Sequence, residues 1–323
     1  MAALPDFRPP AILDLRQVAA GWLEPLLEEE IREWRRELDW DYRPSADLVR
    51  RFVRMQALLG YALVAGDQVL GYGYYVNEEH KGLLGDVYVM PEHRMGAGEC
   101  RLLTALIQTL AATPSIRRVE AQLMLWQDRP DRELPLVGKL RRFRRLFMMV
   151  DLVNPLPQPA GKHPAISYRQ WQERDQEAAG RLIAAAYRGH IDSEINDQYR
   201  SPGGARRFLS NIVQYPGCGS FCQPASMVAA EQSTNNLAGI SLSSLVAFDI
   251  GHITQICVAP GWRGRKVGLD LLCRSLRELE QAGCRRVSLT VTASNKEAVS
   301  LYERLGFRVH REFDAYVWDG LRG

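Results

Sequence analysis

The chain has 323 residues, 46% of them hydrophobic and 24% charged, with a net charge of +3. That composition is ordinary for a globular protein, and the length suits two domains of about 150 residues better than one core. The charge is too small to argue for nucleic acid or an acidic membrane surface as a partner. No apolar run approaches the roughly 20 residues of a membrane span. The start, Met1-Ala2-Ala3-Leu4-Pro5-Asp6, lacks the basic and apolar regions of a signal peptide, so the expected location is cytoplasmic. Six scattered cysteines do not make a disulfide framework. Cys218 and Cys222 are four apart with no second pair or His cluster, so no metal site is expected. Oligomeric state is not legible.

In chain order, 12–16 alternates like a strand, and 22–37 and 45–59 carry helical periodicity. Two strand-like runs, 61–65 and 69–76, are joined by Gly66-Asp67-Gln68, a hairpin signal. A strand over 84–89 ends at Pro91 and leads through a Gly-containing turn to a helix over 98–112 and a strand over 119–125. Leu136, Leu140, Phe143 and Phe147 lie at helical spacing. On that reading Arg141, Arg142, Arg144 and Arg145 are the wet side of a packed element, not a nucleic-acid patch. Four prolines between 154 and 164 read as a stiff linker, dividing the chain into 1–153 and 165–323.

The second half repeats the order of the first. A strand over 166–171 is followed by helices over 175–187 and 203–213. Strands over 227–230 and 237–246 flank Ser233-Thr234-Asn235-Asn236, and a further strand, 253–258, ends at Pro260. Then come a basic turn, a helix to about 282 and a strand over 287–291. Such alternation argues for an α/β or α+β sheet covered on both faces.

The turn reads Pro260-Gly261-Trp262-Arg263-Gly264-Arg265-Lys266-Val267-Gly268. Unpaired backbone N–H groups at a helix start, with glycines that admit close approach and three cationic side chains, suit a diphosphate. The last strand leads into Asn295-Lys296-Glu297-Ala298-Val299-Ser300-Leu301-Tyr302-Glu303-Arg304-Leu305-Gly306-Phe307. The ordered pattern V-x-P-x-x-R-G-x-x-x-G, helix, strand, N-x-x-A-x-x-L-Y-x-x-x-G-F resembles the GNAT N-acetyltransferase superfamily, and the elements before it fit the same fold more loosely.

The resemblance implies an α/β (α+β) protein of two GNAT-like domains, each a mixed, mostly antiparallel sheet flanked by helices. It implies acetyl-CoA as acyl donor and a small-molecule or peptide amine as acceptor. Arg263, Gly264, Arg265, Lys266, Val267 and Gly268 would hold the CoA diphosphate, and Cys257 and Val258 the pantetheine arm. Asn295 matches a position that contacts the donor, and Tyr302 one that protonates the leaving thiolate. Lys266 departs from the family's usual Gly.

The residues also allow plainer readings. Ser294 and Glu297 have capping-box spacing, and Tyr302 could sit at the edge of a core stripe. Trp34, Trp40 and Tyr42 could border an acceptor groove or be buried aromatics. His252, 11 residues before Arg263, and Glu231 are the candidates for a general base. In the first half, Val89-Met90-Pro91-Glu92-His93-Arg94 sets Arg94 on Arg263, but Gly96 and Gly98 fall one residue out of step. Two alternatives to a catalytic second half are an acyl-CoA-binding module without turnover and transfer by the first half.

Overall fold

The computed structural model describes residues 10–94, 98–126, 133–152, 163–215 and 217–321. The linker stretch 154–164 lies outside these except for His163 and Pro164, as does Gly96. The chain forms two compact units, one of Met1–Glu37, Ser45–Phe143 and Phe313–Gly323, the other of Leu38–Pro44 and Arg144–Glu312.

In the first unit, β1 (Ala11–Asp14) precedes α1 (Glu24–Leu38) and α2 (Arg43–Arg54). Three antiparallel neighbours follow, β2 (Gly60–Ala65), β3 (Gln68–Glu78) and β4 (Lys81–Val89), then α3 (Gly98–Ala112) and β5 (Arg118–Gln122). Leu102, Leu103, Leu106, Ile107 and Leu110 form the fully buried stripe of α3. It packs with Val119 into the same core as Tyr316 and Trp318. The second predicted helix ends early, because Gln56 turns the chain through the left-handed region at φ 53°.

Next in sequence, β6 (Leu140–Asp151) is a strand where helical spacing predicts a helix. Its run Leu146-Phe147-Met148-Met149-Val150 is buried at every position, so both faces are covered. A continuous apolar run suits a central strand as well as a helix, and the spacing of four residues does not separate the two. The arginines are individually engaged. Arg141 lies 3.2 Å from Asp319, Arg142 covers the Tyr316 ring, Arg144 pairs with Glu312 at 2.8 Å and Arg145 with Asp192 at 3.0 Å.

The second unit starts at β7 (Ile166–Gln170), with α4 (Gln176–Ala186), the short α5 (Asp192–Ile195) and α6 (Pro202–Gln214). Then come β8 (Ser220–Phe221), β9 (Met227–Glu231), β10 (Leu237–Ala247) and β11 (Ile250–Val258). The chain ends with α7 (Val267–Gln281), β12 (Arg286–Thr292), α8 (Lys296–Arg304) and β13 (Arg308–Asp319). The sheet runs β7-β9-β10-β11-β12-β6, antiparallel throughout except for β11 beside β12.

The units differ from a cut at the proline-rich stretch because each sheet takes a strand from the other half of the sequence. Residues 145–151 of β6 pair with β12, and residues 315–319 of β13 pair with β5. In both units the parallel pair is short. It spans Lys81↔Arg118 to Leu84↔Ala121 in one unit, and Ile250↔Arg286 to Ile253↔Leu289 in the other. Beyond Ile253, β11 continues to Val258 against β10, while β12 continues to Thr292 against β6. The two strands therefore part at the end that leads to the basic turn.

Candidate active site

After Val258 the chain makes a 3-10 turn, Pro260–Trp262, and Gly264 takes φ +72° with nothing within 4 Å of where a Cβ would stand. Lys266 follows at φ 62° as N-cap of α7, and no side chain caps that helix. The first N–H groups of α7 are thus left for an anion, at the positive end of its dipole. Gly268 packs its Cα face toward the Val258 side chain, where a Cβ would come within 3.3 Å. Arg263 donates to the Ala186 carbonyl oxygen at 2.5 Å, which ties the turn to α4, and Arg265 lies 5.0 Å over the Trp262 ring.

The left-handed backbone at position 266 explains why glycine is usual there. A side chain in that region costs about 1–2 kcal/mol, and glycine gives back part of the relief as unfolded-state entropy. Lys266→Gly is expected to raise the stability of the second unit by about 0.5–1 kcal/mol, read from the denaturant midpoint. An unchanged or lower midpoint contradicts the strain.

Beside the turn, α4 and the segment after it carry a polar cluster. Tyr187 and Tyr199 stack at 4.5 Å, the Tyr187 hydroxyl reaches the Ile256 carbonyl at 3.3 Å, and Gln255 Nε2 donates to that hydroxyl at 3.0 Å. Asp192 accepts from Arg145 at 3.0 Å and from the Thr292 hydroxyl at the end of β12. His190 lies between these groups. Its Nε2 is 3.3 Å from Asn295 Nδ2, its Nδ1 is 3.7 Å from Asp192 Oδ2, and its ring meets Tyr187 edge-on at 5.2 Å.

Asn295 caps α8, its Oδ1 accepting from the Ala298 N–H at 3.2 Å. The cap is therefore Asn295 itself, one residue later than the Ser294 that the capping-box spacing suggests. Seven residues on, Tyr302 shares the Asn295 face of α8. Tyr302 is 7% exposed and packs on Phe307. Burial raises its pKa, the Asp192 charge raises it further and Arg145 opposes them, so the phenol stays protonated through the neutral range.

The acetyltransferase (GNAT) family model matches residues 191–307. The chain is 32% identical over 256 residues to the mycothiol acetyltransferase of Streptomyces avermitilis, covering 77% of this chain and 76% of the relative. The chain belongs to the GNAT acetyltransferase family. A mycothiol acetyltransferase of Saccharopolyspora erythraea is 26% identical over 254 residues, covering 75% and 80% of the two chains. The fold matches a GCN5-related N-acetyltransferase from Sphaerobacter thermophilus at TM-score 0.68, with 20% identity and 97% and 96% of the chains covered. It also matches a tandem GNAT protein of the clavulanic acid biosynthesis pathway at TM-score 0.63, with 14% identity and 96% and 98% covered. The GNAT arrangement is tandem here too.

Within this GNAT acetyltransferase the predicted donor-site residues lie on three elements: 257 and 258 at the end of β11, 263–268 in the turn before and at the start of α7, and 295 and 302 on α8. His252 does not join them. It lies six residues before Val258 on β11, about 20 Å along the strand. It is 6% exposed, 5.0 Å from Trp40 and 2.9 Å from Ser288 Oγ, and burial lowers its pKa to about 4. Glu231 is committed as well. Its oxygens accept from Thr234 and Trp262, both at 2.7 Å, and these bonds hold its carboxyl below the usual range.

Trp34, Trp40 and Tyr42 are buried. Among the described residues no group of three or more His, Cys, Asp or Glu is placed to hold a metal ion, and no helix is long and apolar enough to cross a membrane. Sequence reasoning missed His190, Asp192 and Arg145. His190 and Asp192 follow an ordinary helix end, and Arg145 sits in the segment misread as a helix. Only the spacing His190-Ile191-Asp192, which straddles the start of the family-matched region, hinted at them.

Proposed function

We propose that the acetyltransferase binds acetyl-CoA in its second unit and passes the acetyl group directly to an amine. The observation that carries this reading is the uncapped, glycine-opened start of α7 beside the parting of β11 and β12, with Asn295 and Tyr302 facing along α8. The N–H groups of 264–268 suit the diphosphate, with Arg265 and Lys266 adding charge. The backbone of Cys257 and Val258 borders the parted strands, where an extended pantetheine arm fits. As the amine nitrogen bonds to the carbonyl carbon and the C–S bond breaks, Tyr302 gives its proton to sulfur. Burial holds the Cys257 thiol protonated, its pKa pushed up to about 12, which disfavours an acyl-cysteine intermediate and supports direct attack.

The first unit offers a poorer anion site. Arg94, aligned with Arg263, is bonded to Glu33, lies 3.8 Å from Glu99 in the first turn of α3, and donates to the Val89 carbonyl at 2.7 Å. Carboxylates around the turn oppose a second diphosphate.

The two relatives compared above are named mycothiol acetyltransferases, so mycothiol-related amines are the first acceptors to test. Polyamines, aminoglycosides and peptide N-termini complete the panel. The supply of acetyl-CoA makes the cytosol the expected compartment. Calorimetry is expected to show one acetyl-CoA site per chain, abolished by bulk at Gly264, together with CoA release in the presence of an amine. Tight binding with no turnover on any amine turns the reading into an acyl-CoA-binding module, and absence of binding defeats it.

A further inference from the structure

From the cavity at the end of α4 we infer that the acceptor amine carries an anionic group, a carboxylate or a phosphate, which the guanidiniums of Arg181, Arg188 and Arg200 receive. The inference rests on acetyl transfer to an amine by the second unit. The cavity has a volume of about 340 Å³ and lies between the last turns of α4, the bend at Gly189 and the segment leading into α6. That is the lower end of the range for small-molecule sites.

Three guanidiniums and one carboxylate, Glu194, line this space. Glu194 is paired with Arg200 at 3.4 Å. Arg181 is paired with Glu177 at 3.1 Å, but Glu177 is also held by Arg206 at 2.7 Å, so one carboxylate serves two cations. Arg188 is exposed and, among the described residues, makes no ion pair. The cavity therefore keeps a positive excess, with the donors of Arg188 available. A guanidinium presents those donors as a planar fork that matches a carboxylate or a phosphate.

The backbone prepares the site. Gly189 turns the chain at φ +70°, with open space where a Cβ would stand. Arg200 Nε donates to the Ser193 carbonyl at 2.8 Å, which braces its guanidinium. The carbonyl end of α4 carries partial negative charge, which by itself repels an anion. Here Arg263 donates to the Ala186 carbonyl, and the His190 N–H donates to that of Tyr187 at 3.0 Å. The Arg263 charge offsets that end of the helix dipole.

Tyr187 connects the cavity to the donor side. It lines the cavity, and its hydroxyl reaches the Ile256 carbonyl of β11 at 3.3 Å. Ile256 immediately precedes Cys257 and Val258, the residues proposed to border the pantetheine arm. One ring thus separates the anchoring point from the strand along which the thioester would lie. An acceptor held by its anion is thereby positioned with its amine toward that strand.

The test measures kcat/KM of the full-length protein for two matched pairs of amines, glucosamine 6-phosphate against glucosamine, and alanylalanine against its C-terminal amide. At least one anionic member is expected to exceed its counterpart about 10-fold or more, and the pair that shows the preference tells phosphate from carboxylate. Arg188→Glu should lower that advantage about 10-fold or more through KM, with kcat within about 2-fold, while the counterpart without the anion changes by less than about 3-fold. Arg188→Lys should keep part of the advantage, and raised salt should weaken it. Arg188 is exposed, so these substitutions leave the core untouched. Equal efficiency within both pairs overturns the inference, as does an Arg188→Glu variant that slows both members alike. A fall in the acetyl-CoA affinity of Arg188→Glu by calorimetry also overturns it, because the anion then belongs to the donor. Acetylation without regard to the anion sinks the role of the cavity and leaves acetyl transfer standing, whereas no turnover on any amine defeats both.

Discussion

Deleting Phe313–Gly323 is expected to unfold the first unit, although the segment lies at the far end of the chain. Ala315, Tyr316, Val317 and Trp318 are all fully buried, and they are the part of β13 that pairs with β5. Trp318 donates through Nε1 to the Pro135 carbonyl at 2.7 Å, and Asp319 pairs with Arg118 at 2.6 Å. Arg118 is only 5% exposed and shares Glu120 with the buried Lys81, so the deletion also strips a partner from a buried cation. Losing one large aromatic from a core costs about 3–5 kcal/mol, and a whole domain is stable by only about 5–15 kcal/mol. The deletion removes three such rings, those of Phe313, Tyr316 and Trp318, and a strand.

The same topology predicts the fate of the separated halves. A fragment of 165–323 lacks the β6 residues that pair with β12, including the fully buried Phe147 and Met148. Neither half, cut at the proline-rich stretch, is expected to show a cooperative thermal transition, whereas the two produced together should regain one. Circular dichroism and limited proteolysis read both results. Cooperative melting of either half alone would show that the strand exchange is dispensable.

Tyr302→Phe is expected to cut kcat about 100-fold while leaving the KM for acetyl-CoA within about 2-fold. The phenyl ring keeps its contact with Phe307 and its place in the core, so stability should hardly move. Gly264→Val is the contrasting variant. A β-branched side chain at φ +72° strains the turn by about 1–3 kcal/mol and swings its N–H groups out of line, so acetyl-CoA binding is lost first. Phenol loss that lowers affinity and not turnover, or a valine variant with normal affinity, would separate these residues from the roles given them.

What the sequence determined by itself was local. Periodicity marks most of the strands and helices, β6 and β13 apart, and glycines and arginines at a helix start, taken with the GNAT resemblance, mark the turn at 263–268 as a candidate donor site. Asn295 and Tyr302 were legible through the resemblance of their segment to the GNAT pattern, and seven residues on a helix put the two side chains on one face.

What needed the tertiary structure was whatever depends on partners distant in sequence. The segment 136–147 carries apolar spacing that a helix and a doubly buried strand share, and only pairing with β12 decided for the strand. The exchange of β6 and β13 leaves no local mark, since an edge and a central strand differ in their neighbours and not in their residues. His252 and His190 look alike along the chain. Packing seals the first between Trp40 and Phe147, while the second, its side chain 28% exposed, meets Asn295, 105 residues on, at 3.3 Å.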